Sequence, residues 1–196
     1  MTDRIASEAA ARSDASLYAV IQPPDMRWHL PSIEVTPAAS KRLAAFLDHV
    51  DVAVAVHGFG RDGLWSTILV GGANRPLADH VGRHLGPALD DHEICTDIDA
   101  MPAELRGVHT ENPVNLCRAG GGVQLELPPG VRGLTPRWAA WSGPALTPPT
   151  EALVEALAAA ARSWPPQGAS RSSDQAGDAP GTDDAGAAPG SDGDRR

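Results

Sequence analysis

The sequence predicts an α/β sandwich with a largely parallel or mixed sheet. Three observations carry that prediction. Short β-branched runs alternate with longer amphipathic stretches along the chain. The apolar run at residues 52–56 stops on a histidine wrapped in glycines, "VHGFG". Residues 122–127, "GVQLEL", alternate strictly: Val123, Leu125 and Leu127 face one way, Gln124 and Glu126 the other.

Each element follows from local chemistry. Residues 2–13 are Ala-rich and helical by propensity, with Thr2 as N-cap. "SLYAVIQ" at 16–22 reads as a strand that the Pro-Pro-Asp of 23–25 ends. "PSIEV" at 31–35 reads as a short strand. Thr36-Pro37 reads as an N-cap followed by proline at the first helical position. Leu43, Phe46, Leu47 and Val50 then fall at helical spacing. Residues 52–56 form a buried strand, because valine packs well on a pleated surface and gains nothing in a helix. "STILVGG" at 66–72 is a second β run, residues 76–85 a helix with Leu77, Val81 and Leu85 on one side, and "HEICTD" at 92–97 a short strand. Residues 148–163 make an amphipathic helix built on Leu153, Leu157 and the alanines around them.

At 196 residues the chain is long enough for one domain with a real core. Residues 165–196 are dominated by Pro, Gly, Ala, Ser and Asp, with no aromatic side chain. Such a segment buries too little apolar surface to offset its ordering entropy. The expected organisation is a domain over 1–164 and a disordered tail over 165–196. The net charge is -9; six Asp and three Arg residues fall in the tail, and the body is acidic as well. An acidic body without a basic stripe has no electrostatic footprint for nucleic acid. Two cysteines, Cys95 and Cys117, are too few for a disulfide scaffold and point to a reduced, cytoplasmic setting. No apolar run approaches the roughly 20 residues of a membrane span, and no signal peptide or internal repeat is visible.

The residues able to carry chemistry each have a plainer reading beside the functional one. His57 sits where a strand runs out, with Gly58 and Gly60 leaving room for close approach, and ligands of open α/β sheets bind at the carboxyl ends of strands. Its plainer reading is a strand-end histidine bonded to a carbonyl. Glu126 is a general acid/base candidate if its face lines a cleft, and an ordinary solvated acid if it does not. Arg75, after Asn74, and Arg118, near Asn115, have the fork geometry that grips a carboxylate; a surface ion pair or a helix-cap role fits equally. His80 and His84 stand four apart on a helix, a spacing that can hold a metal, although no H-E-x-x-H pattern accompanies them. His49, His92 and His109 read as solvated, His29 is ambiguous, and Asp97 and Asp99 are loop acids without an evident partner. The tryptophans read as packing. "HGFG" after a strand looks like a serine-hydrolase oxyanion loop, but the G-x-S-x-G elbow that chemistry needs is absent.

Three blocks in order, "VAVAVHGFGRDG", "ILVGGANRPLADHV" and "NPVNLCRAGGGVQLELPPGVRG", resemble the poly-γ-glutamate hydrolase family. A weaker match through "MRWHLPSIEV" extends the resemblance to roughly residues 15–161. The resemblance implies a zinc amidohydrolase with a carboxypeptidase-like, three-layer fold. It implies that His57 holds the metal and that Glu126 is the general base; Arg75 or Arg118, the latter near Asn115, is then expected to grip a substrate carboxylate, the choice between them left open. An upstream His-Gly-Gly-x-x-Glu motif that supplies two more ligands is missing. The chain is therefore expected to be N-terminally truncated, either by a start assigned too late or as a true pseudoenzyme. The expected function is zinc-dependent cleavage of γ-glutamyl or peptide amides, with a metal-free binding domain on the same scaffold as the alternative.

Overall fold

The computed structural model describes residues 1–23, 25, 30–143 and 145–165. His29, Trp28 and the tail from 166 lie outside the described residues. Among the described residues there are four α-helices: α1 (Thr2–Ser13), α2 (Lys41–His49), α3 (Arg75–Leu85) and α4 (Pro148–Ser163). Four strands accompany them: β1 (Val54–Gly58), β2 (Thr67–Gly71), β3 (Glu93–Cys95) and β4 (Val123–Leu127).

The strands form one sheet in the order β1-β4-β2-β3. β1 runs parallel to β4 and β2 parallel to β3, while β2 and β4 are antiparallel. The α/β class and the mixed, mostly parallel sheet are as the sequence predicts. Strand alternation sorts the two faces. Val123, Leu125, Leu127, Ile68 and Val70 point to one side and join Ile5 of α1, Leu77 and Val81 of α3, and Leu153 and Leu157 of α4 in the main core. On the other face the outer layer is built of loop and 3₁₀ turns: Gly107 lies against Gln124, and Asn112 bonds to it. Among the described residues no helix is long and apolar enough to cross a membrane, and Cys95 and Cys117 are both free thiols.

α1 and α4 are also tied at the surface. Arg12 donates to Glu151 and to Glu155, each at 2.6 Å, and Arg162 donates to the Arg12 carbonyl at 2.7 Å.

The departures from expectation have local causes. Residues 16–22 form no strand. Their alternation finds no neighbouring strand, and Val20 and Ile21 stay 55% and 73% exposed. Residues expected as a strand at 31–35 instead make a 3₁₀ turn, Ser32–Glu34. Thr36 does not cap a helix; its hydroxyl accepts from Ala39 N and closes a turn, and Ser40 caps α2 by accepting from Leu43 N at 3.2 Å. Thr2 lies inside α1, with Met1 at the N-cap position. β1 begins two residues later than the valine run suggests, so His57 and Gly58 belong to the strand itself. Trp65 and Trp141 are half-exposed, 54% and 44%, where packing was expected.

Candidate functional site

β1 and β4 set the geometry. In their parallel register His57 is the partner of Glu126, and Ala55 of Gln124. Register partners on adjacent strands project to the same face. His57, Glu126 and Gln124 therefore leave the sheet on the side opposite the main core. On the far flank of Glu126 the antiparallel partner is Leu69, which is 1% exposed. Glu126 is thus enclosed between an imidazole-bearing strand and an apolar wall.

A chain of buried amides reaches Glu126 from the cover loop. Asn112 Oδ1 accepts from Val114 N at 3.3 Å, which turns its Nδ2 toward Gln124. That nitrogen donates to Gln124 Oε1 at 2.7 Å, and Gln124 Nε2 in turn donates to Glu126 Oε1 at 2.8 Å. The backbone bond at Asn112 fixes the sense of both amides, so the carboxyl always meets a donor. Glycines make the close cover possible. Gly107 has φ 65°, and a Cβ there would lie 2.6 Å from Gln124 Cβ. Gly72, at φ 97°, donates its N–H to the Arg106 carbonyl at 2.7 Å.

Glu126 is only 5% exposed. Burial pushes its pKa up to about 7, against the opposing pull of the Gln124 hydrogen bond and the Arg132 charge. A buried carboxyl favours its neutral form because the ion loses its hydration. Arg132 is held by bonds to the carbonyls of Phe59, at 2.8 Å, and Pro128, at 3.4 Å. Its guanidinium lies across Gly58, where a Cβ would stand 2.5 Å from Nη1. At this end of β1 and β4 the arrangement can accept and return a proton near neutral pH.

The other expected site residues lie elsewhere. Asn115 is buried and fully engaged. Its Oδ1 accepts from Ala73 N at 3.1 Å and Gly122 N at 3.3 Å, and its Nδ2 donates to Gly107 O at 2.8 Å and His109 O at 3.0 Å. It ties the loop after β2, the start of β4 and the cover loop together. Arg75 donates to the carbonyls of Val70, Gly72 and Thr96, and Asn74 caps α3 through Leu77 N. Arg118 is 60% exposed, 3.5 Å from Asp51, with its N–H on Val50 O. That places it at the opposite end of β1 from His57.

Gln124, Asn112 and Arg132 were not among the sequence's site candidates. The period-2 pattern already puts Gln124 on the face of Glu126. Nothing local marks Arg132, whose partners are a carbonyl four residues back and another 73 residues away.

β1 is an outer strand of the sheet. Its odd residues bond to β4, as Val123 N to Ala53 O and Phe59 N to Leu127 O. The amides and carbonyls of Val54, Val56 and Gly58 therefore turn outward. Beside them runs a cavity of about 720 Å³, lined among others by Ala6, Leu17, Phe46, Val54 and Val56, and by His57 at the end of the strand.

The model of the family described as poly-gamma-glutamate hydrolase matches residues 1–136. The chain belongs to that family. The structure of a bacteriophage poly-gamma-glutamate hydrolase is similar, with a TM-score of 0.61 at 22% identity, over 80% of this chain and 74% of that one. YNDL in its zinc-free apo form is similar at a TM-score of 0.51 and 18% identity, over 69% of this chain and 63% of that one. At these identities the two structures speak for the fold. No curated protein matches the chain in sequence. Membership of the poly-gamma-glutamate hydrolase family makes this a hydrolase-like chain.

Proposed function

We propose that this chain is an amide hydrolase of the peptide or γ-glutamyl class with Glu126 as its general base. One observation supports the reading above the others: the enclosed Glu126 carboxyl, its pKa raised to about 7, stands in register beside His57. A group with that pKa both takes and gives a proton at neutral pH. Glu126 removes a proton from a water as the water oxygen bonds to the amide carbonyl carbon. It then hands that proton to the nitrogen as the carbon–nitrogen bond breaks, leaving an acid and an amine. Gln124 orients the carboxyl, and Asn115 acts through the loops that it joins.

Zinc enters through the resemblance and through the zinc-free relative. The resemblance assigns His57 as one of its ligands. Among the described residues, however, no group of three or more His, Cys, Asp or Glu side chains is gathered to hold an ion. Catalytic zinc takes three protein ligands and a water. The donors present do not fit that site, and the proposal assigns no step to a metal.

The test is amine release from poly-γ-glutamate and from an ordinary peptide, compared between the chain and E126Q. The expected loss is about 100-fold or more; equal turnover in the two overturns the reading. The short donor set favours a second reading, a binding domain without turnover. Calorimetric binding of poly-γ-glutamate with no amine released, by parent and E126Q alike, would select it.

A further inference from the structure

Away from the His57–Glu126 pair, two imidazoles meet between α3 and α4. His80 and His84 stand one turn apart on α3, with ring centroids 4.9 Å apart in an edge-to-face arrangement. From the end of α4, Ser163 Oγ lies 3.2 Å from His80 Nε2 and 3.0 Å from His84 Nε2. The Ala160 carbonyl lies 3.0 Å from the same His80 nitrogen. Trp164 packs its ring edge-on against His80, centroids 5.2 Å apart, and fixes the direction of that imidazole.

Ser163 does not owe its place to the histidines, because its hydroxyl also donates to Ala159 O at 2.8 Å. Two Nε2 atoms thus converge on one oxygen that the fold positions independently. Residues i and i+4 of a helix share a face, and imidazoles so spaced reach a single ion. Imidazole suits the later divalent transition metals, with hydroxyl, carbonyl or water completing the shell.

We propose that His80 and His84 form a binding site for one divalent transition-metal ion of the zinc type, beside Ser163 on α4. Binding exchanges the hydrogen bonds of the two Nε2 atoms for bonds to the metal, with the ring proton carried on Nδ1. The ion then sits on the C-terminal half of α3, with Ser163 Oγ of the last turn of α4 beside it. This site is separate from the hydrolase reading and stands or falls without it.

Zinc chloride titrated into the full chain by calorimetry tests it, beside H80Q, H84Q and H57A. One binding event is expected in the parent and in H57A and is expected to be lost in H80Q and in H84Q. A hundredfold excess over Kd should raise the Tm of the parent by about 5–10 °C and leave that of H84Q unmoved. Should a variant fail to fold, copper(II) EPR of the parent reads the site directly, through hyperfine coupling to two imidazole nitrogens. Uptake of zinc that persists in both glutamine variants, an adventitious ion only, overturns the proposal. So does a parent that takes up no zinc, or a copper spectrum without nitrogen coupling.

Discussion

His57 and Glu126 are register partners on adjacent parallel strands, so the imidazole and the carboxyl leave the sheet on one face. The carboxyl is shut between that strand and Leu69, and a single amide chain ties it to the cover loop. Its behaviour follows from this enclosure.

The raised pKa of Glu126 makes stability depend on pH in a defined sense. The unfolded chain titrates near the ordinary 4.5 and the folded one at about 7. Between those values the folded state holds the extra proton. The stabilising contribution is fully present below about pH 4.5, is lost as pH rises toward about 7, and stays lost above. Its size is on the order of 3 kcal/mol. Urea midpoints measured from pH 4.5 to 8 should fall in the parent more steeply than in E126Q. Parallel curves for the two would show that Glu126 is not the group responsible.

Gln124 is the donor that keeps Glu126 from titrating higher still. In Q124L the carboxyl loses its one amide partner and Asn112 Nδ2 loses its acceptor. The Glu126 pKa should move further up, and stability should drop by about 1–3 kcal/mol. Carbon-13 titration of the glutamate carboxyls reads the first and urea unfolding the second. A downward shift of that carboxyl would contradict the amide chain.

Gly107 is required by space as well as by its backbone angle. A G107A chain places a Cβ against Gln124 Cβ at a φ of 65°. The expected cost is at least about 2 kcal/mol in chemical unfolding. Loss of less than about half a kcal/mol would mean that the cover loop lies farther from the sheet.

Arg12 joins α1 to α4 by charge-assisted bonds to Glu151 and Glu155, with Glu8 at 3.3 Å. The pairs are partly exposed, so R12A should cost only about 1 kcal/mol. The difference should shrink in 1 M salt, where charges are screened within about 3 Å. A salt-independent loss would instead point to the packing of the arginine stem.

Much of this arrangement can be read from the sequence, where local and tertiary demands agree. The Val123-Gln124-Leu125-Glu126-Leu127 alternation sorts the faces of β4 without reference to anything else. The bounds 148–163 of α4 follow from proline at the start and an unbroken apolar stripe. Residues 16–22 carry an equally persuasive β pattern, yet a strand exists only beside another strand, and no neighbour comes to these. Thr36 and Ser40 are both competent caps; which one starts α2 depends on where the chain arrives from the preceding turn. At the site, two residues 69 apart are aligned by a register that no local motif encodes. The sequence leaves Arg75 open between a carboxylate grip, a surface ion pair and a cap, because its three carbonyl acceptors, one of them 21 residues away, cannot be seen from its neighbours.

Among the described residues, the pairing of α1 with α4 joins the first helix to the last. Ile5, fully enclosed in the finished molecule, packs in one core with Leu153 and Leu157. During vectorial synthesis that isoleucine leaves the ribosome long before its neighbours exist. Some 150 residues must follow before the core can close, and the loop to be closed spans nearly the whole body. The core therefore rests on contacts of very high sequence separation, which form late because the entropy of closing so long a loop is lost before they can stabilise anything.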